Sequence, residues 1–179
     1  GEDIVINDII TDFFWKYDHV SLPNGAKAKI AFYFKTEEHL TECRALIEKS
    51  LATIGKNPTL ILKNTQKSSQ EEIREFNALN DPKAEKRIVL LVGKGTEWWN
   101  CPSLFATALI REVWSSNNFV LQASTRCLRQ VKWNNHLASI YLDSKNLRTL
   151  NSELEANFRI DVTTLKNTSV IKDEAILKI

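Results

Sequence analysis

Apolar residues along this chain fall into short dense runs that alternate with longer, spaced rows. Within Asp8–Tyr17, Ile9 and Phe13 recur at helical spacing, with Ile10 and Phe14 on a neighbouring row. "LPNG" at Leu22–Gly25 marks a turn. "KIAFYF" (Lys29–Phe34) is apolar at successive positions, the pattern of a buried strand. Thr36 then offers a cap, and Glu37 and Glu38 suit the positive end of a helix. Leu40, Cys43, Leu46, Ile47 and Leu51 carry that helix to a stop at Gly55. "TLILK" (Thr59–Lys63) predicts a second strand, and "SSQEEIREFNAL" (Ser68–Leu79) a capped helix with Ile73, Phe76 and Leu79 inward. "RIVLLVG" (Arg87–Gly93) lacks polar alternation and predicts a strand covered on both faces, and "LFATALI" (Leu104–Ile110) predicts another. The spacing over Asn117–Val131 predicts one helix, with Phe119 or Val120, Ala123, Cys127 and Val131 inward. A strand over Leu137–Asp143 and an amphipathic helix over Ser144–Phe158 follow, and the remainder reads as a short hairpin or frayed tail.

Strands alternating with helices imply parallel βαβ units and a three-layer α/β sandwich with a mainly parallel sheet. The expected division is a lead-in helix and linker over 1–25, the α/β domain over 26–160, and a hairpin or tail over 161–179. Ligands in such folds gather at the C-terminal ends of the strands. That edge should hold Lys35–Thr36, Asn64–Thr65 and the Gly93–Asn100 loop.

Composition narrows the picture. A chain of 179 residues, 43% hydrophobic and 26% charged, has the length and content of one globular domain. No apolar run reaches the roughly 18–20 residues of a membrane span, and the opening residues lack the basic, apolar, small-residue pattern that would predict secretion. Cys43, Cys101 and Cys127 are odd in number and form no CxxC pair, so neither a disulfide framework nor a metal site is expected, and a reducing cytoplasm fits. With no methionine anywhere, the chain reads as a piece of a longer protein, in which Gly1 could be a tag remnant, and a processed or edited chain would read the same. A net charge of +2 does not by itself signal nucleic acid, so such binding has to come from local placement.

Two segments stand out chemically. "GKGTEWWNCP" (Gly93–Pro102) follows a buried strand, and its glycines let backbone N–H groups approach an anion. The adjacent Trp98 and Trp99 suit core anchoring or stacking on bases. "QASTRCLRQV" (Gln122–Val131) places Arg126 and Arg129 on one helical face, with Gln122 one turn earlier. This is either a solvated face or a phosphate site. Asp161, Asp173, Glu174 and Lys178 lack nuclease spacing, and His19, His39 and His136 are scattered, which leaves nucleophilic catalysis unsupported.

Taken together, these segments resemble the C-terminal RecA-like (P-loop NTPase-type) domain of superfamily 2 DEAD/DEAH-type helicases. Thr96–Ala106 looks like motif V, in the form seen in type III restriction enzyme Res subunits, and Gln122–Val131 looks like motif VI. "KIAFYFKTEEHL" and "SSQEEIREFN" fit the two motifs that precede them, so the likeness runs from about Lys27 to Asp143. The resemblance implies the second motor domain of an ATP-dependent DNA helicase or translocase. ATP and Mg would be held mainly by an N-terminal RecA-like domain that is not part of this chain. Arg129 would be the arginine finger, with Arg126 on phosphate or on the facing acidic motif. Gln122, Asn100 and Glu97 would lie at the nucleotide interface. Lys94, Gly95, Thr96, Asn64 and Thr65 would meet the nucleic-acid backbone. Partners would be the N-terminal RecA-like domain, DNA and a Mod-type methyltransferase subunit. Trp98 replaces the family's glycine, Asn100 its aspartate, and Thr125 a second glycine. Two other readings stay open: a noncatalytic nucleic-acid-binding module on a degenerate helicase fold, and a domain whose arginines pair structurally with Glu97, Glu112 or Asp143.

Overall fold

The structure, a computed structural model, describes residues 1–92, 99–110, 119–128, 136–158, 168–171 and 174–178. In chain order the elements are α1 (Glu2–Tyr17), β1 (Lys29–Phe34), α2 (Glu37–Thr53), β2 (Ile61–Asn64), α3 (Gln70–Asn77), β3 (Ile88–Val92), β4 (Leu104–Leu109), α4 (Phe119–Ser124), β5 (Ser139–Asp143), α5 (Ser144–Phe158), β6 (Thr168–Ile171) and β7 (Glu174–Lys178). Short 3-10 turns cover Pro58–Leu60 and Thr125–Leu128.

The strands form one sheet in the order β2-β3-β1-β4-β5-β7-β6. The first five run parallel, and β7 and β6 extend the sheet antiparallel beside β5. The fold is therefore α/β, as the alternating pattern predicts, and β6 and β7 pair antiparallel with each other at the edge of the same sheet.

Alternate residues of β1 serve opposite sides. Ile30, Phe32 and Phe34 pack with α1 and α2, whereas Ala31 and Tyr33 face the cluster that holds Leu79, Trp99, Val120, Ala123, Leu150 and Leu154. Both faces are covered by helices, which explains why the strand carries no polar alternation.

Helix α1 starts at Glu2, six residues before the predicted Asp8, with acidic Glu2 and Asp3 in its first turn. Its stripe of Ile6, Ile9, Ile10, Phe13, Phe14 and Tyr17 is buried against the sheet and α2. Full burial of each such side chain stabilises by about 1.5–3 kcal/mol. Arg87 fastens the end of this helix to the start of the sheet. Its Nε donates to the Ala28 carbonyl at 2.6 Å and its Nη2 to the Tyr17 carbonyl at 3.0 Å, with the guanidinium also over the Phe13 and Phe14 rings.

Two further sequence expectations need correction. Ile73 of α3 is 39% exposed, and Leu79, just past the helix, takes the buried place. The single helix expected over Asn117–Val131 is instead α4 followed by a 3-10 turn. Thr125 Oγ1 donates to the Leu121 carbonyl at 2.6 Å, and Ser124 Oγ reaches the same oxygen. Side chains that bond back to a carbonyl in this way compete with the helical ladder and tighten it.

Candidate functional site

Parallel strands align their C-terminal ends at one edge, where β1 ends at Phe34, β2 at Asn64, β3 at Val92, β4 at Leu109 and β5 at Asp143. Thr36 lies there, but its hydroxyl is committed as the cap of α2, accepting from the His39 N–H at 3.1 Å. Asn64 and Thr65 are half-buried at the same edge. Their loop is shaped from within: Thr65 N–H donates to Ser68 Oγ, Lys67 N–H to Thr65 Oγ1, and Ser68 Oγ to the Lys63 carbonyl. The next helix, α3, opens with a reciprocal capping box between Ser69 and Glu72.

The segment before β4 is clamped at its described end. Trp99 is buried, with its ring stacked on Phe76 of α3 at 5.0 Å. Asn80 Nδ2 donates to the Asn100 carbonyl at 2.9 Å, while Asn100 itself stays exposed. Trp99 is thus a core anchor. Lys94, Gly95, Thr96, Glu97 and Trp98 lie outside the described residues, and so does Arg129.

Arg126 joins this segment to the 3-10 turn after α4. Its Nη1 donates to the Trp99 carbonyl at 3.1 Å, and its Nε is buried with no partner among the described residues. Burial pushes the Tyr33 hydroxyl well above its usual range, and the nearby Arg126 charge opposes that rise. Gln122 sits on α4 and is exposed. The turn itself is held to the sheet, because Thr107 Oγ1 of β4 donates to the Ser124 carbonyl at 2.7 Å and buried Cys127 packs beside it. Asp143 accepts from the Asn146 N–H at 2.7 Å and so caps α5.

The structure therefore brings together Arg126, Trp99 and Asn100, keeps Asn64 and Thr65 at the strand edge, and leaves Gln122 in solvent. Arg126 has a half-buried backbone anchor, which a solvated helix face would not provide.

Sequence reasoning passed over three clusters. Lys29 is fully buried, donating to the Lys27 carbonyl at 2.7 Å and to Ser103 Oγ at 2.9 Å, and burial lowers its amine to about 8. Asp12 accepts from the Tyr141 hydroxyl at 2.5 Å, and the Tyr17 hydroxyl meets Ser139 Oγ at 2.8 Å. Glu2, His39 and Cys43 converge between α1 and α2. Only the last had a local signal, a histidine and a cysteine four residues apart on one helical face.

A mainly parallel sheet with helices on both faces makes this an α/β domain. Among solved structures the chain is similar to the Mss116p DEAD-box helicase domain 2 bound to an RNA duplex. The TM-score is 0.57 at 13% identity, covering 89% of this chain and 57% of that chain. At that identity the likeness establishes the fold, and the chain spans little more than half the length of its neighbour. A protein from Pseudomonas syringae assigned as a methyltransferase is similar at TM-score 0.41 and 8% identity over 99% of each chain, too distant to carry an argument. No protein-family model matches the chain, and no curated protein sequence matches it. Among the described residues, no helix is long and apolar enough to cross a membrane.

Proposed function

We propose that the chain is the second RecA-like half of an ATP-driven helicase or translocase, working against an N-terminal RecA-like domain of the same protein. The observation that carries this reading is the bond from Arg126 to the Trp99 carbonyl. It joins the two segments that look like helicase motifs V and VI, on a sheet whose fold matches a helicase second domain. ATP with Mg, held mainly by the other domain, would supply the phosphoryl group whose hydrolysis drives movement. Arg129 would reach that phosphate, and Arg126 would hold its segment in place for Arg129 while the tie to Trp99 sets the depth of the turn. Gln122, exposed on α4, and Asn100 would line the facing surface, together with Glu97. Asn64 and Thr65 would join Lys94, Gly95 and Thr96 along the backbone of the nucleic acid.

Within that class, the form of Thr96–Ala106 favours a type III restriction enzyme Res subunit. DNA would then be the polymer and a Mod-type methyltransferase subunit the partner. RNA is the rival polymer, since the neighbouring helicase domain holds an RNA duplex. The test is the ATPase rate of the parent protein, with DNA and with RNA, for wild type and Arg129→Ala. The expected result is a polymer-stimulated rate that falls by about 10³–10⁵ in the variant, the scale of arginine fingers in related reactions. An undiminished rate removes the finger.

A second reading, a noncatalytic nucleic-acid-binding module, is favoured by one specific observation. Arg126 is engaged with a backbone carbonyl and half-buried, which suits a scaffold as well as a motor. Salt-sensitive strand binding by a parent protein that lacks ATPase would select it.

A further inference from the structure

We propose that Glu2, His39 and Cys43 form a zinc site that clasps the start of α1 to the first turns of α2. His39 Nε2 and Cys43 Sγ each lie 2.9 Å from the same oxygen, Glu2 Oε1. All three ligand atoms lie within 4.8 Å of one another. Donors around a tetrahedral zinc sit about 3.5 Å apart, given bonds of about 2.0–2.3 Å, so a small outward shift of the carboxylate admits the ion. One nitrogen, one thiolate and one carboxylate make a donor set suited to this borderline-soft cation.

The surroundings hold the donors in place. His39 and Cys43 are four residues apart on one face of α2, whose first turn is fixed by the Thr36 cap. The Phe34 ring stands edge-on to the His39 imidazole at 5.2 Å, which sets its plane and keeps that side dry. Cys43 is fully buried and His39 nearly so, whereas the Glu2 side chain keeps 21% of its surface. The ion would enter past Glu2, and the fourth position would face the same opening, available to water. A plain helix staple would need only the carboxylate and the imidazole. A thiol aimed at the same oxygen is the third ligand that a metal requires. Binding takes a proton from that thiol, so affinity rises with pH. This assignment stands apart from the motor reading, since none of its residues belongs to the nucleotide or nucleic-acid surface.

The test is a cobalt(II) titration of the purified chain, followed by absorption, with zinc as competitor. The expected result is a single bound cobalt, with the intense visible bands of a four-coordinate ion and a near-ultraviolet thiolate-to-cobalt band, all erased by zinc. Cys43→Ser should abolish the thiolate band. Glu2→Gln, at a partly exposed position that leaves the core intact, should weaken binding at least about tenfold. Zinc should also raise the melting temperature of the wild type and not that of Cys43→Ser. Absence of the thiolate band in a wild type with native far-ultraviolet circular dichroism overturns the proposal. So does a band that survives in Cys43→Ser and disappears in Cys101→Ser or Cys127→Ser.

Discussion

At the scale of single residues, the buried Lys29 amine makes a pH-dependent prediction. Its hydrogen-bond partners are a carbonyl and a hydroxyl, and no carboxylate is among them. Burial takes it from 10.5 to about 8, with the Cys101 thiol opposing and Arg87 adding to the fall. Below the folded value both states hold the proton, and the cost of burying the charge is fully present. Between about 8 and 10.5 the unfolded chain binds more protons than the folded one, so stability rises with pH over that window. Tyr17 and Cys127, each raised to about 12, act in the opposite sense at higher pH. The clean readout is therefore a difference: urea unfolding of wild type against Lys29→Met, from pH 7 to 10. Wild type should gain on the variant as pH rises, and a flat difference would refute the account. Arg126→Ala makes a second residue-scale prediction. Loss of the tie to the Trp99 carbonyl should cost about 1.5–3 kcal/mol, as bonds to charged groups do, with the emission of the Trp99 region shifting to the red.

Among the elements, α1 carries the clearest energetic claim. Phe13 has no exposed surface and lies in the core that α1 shares with the sheet. Phe13→Ala should destabilise the chain by about 3–5 kcal/mol in denaturant unfolding. Ser69→Ala, which removes half of the capping box of α3, should cost only about 1 kcal/mol and loosen α3 ahead of the sheet in hydrogen exchange. Element identity was readable where patterns were strong. Lys29–Phe34 is predicted and found, and the strands near Thr59, Arg87, Leu104 and Leu137 move only by a residue or two at their ends. The start of α1 was missed because Glu2 and Asp3 carry no apolar stripe, although they suit a helix N-terminus. The break after Ser124 was missed because apolar spacing does not register hydroxyls competing for a carbonyl. The candidate site was legible only where motif-like segments lay close together in sequence. The Arg126–Trp99 bond spans 27 residues and the Glu2–Cys43 contact 41, distances that only the folded chain closes.

For the whole molecule, the proposed role implies a salt law. If the strand edge follows a nucleic-acid backbone, binding by the parent protein should weaken linearly in logarithmic salt. The slope for single strands should be about 0.7 per phosphate neutralised, and Lys94→Ala should lower it by about one contact. A slope unchanged by that substitution would place the polymer elsewhere.

The sheet order also governs how the chain comes together. β1 is translated before every other strand yet ends up inside the sheet, flanked by β3 and β4. During synthesis this apolar strand must wait, with the polar N–H and C=O groups of both its edges unpaired, until Ile88–Val92 and then Leu104–Leu109 have left the ribosome. A nascent chain arrested after Val92 should therefore be sticky and protease-sensitive, and one released after Leu109 markedly less so. The helix that precedes β1 can cover one of its faces early, which gives Glu2–Tyr17 a second use as a built-in shield for a strand that arrives too soon.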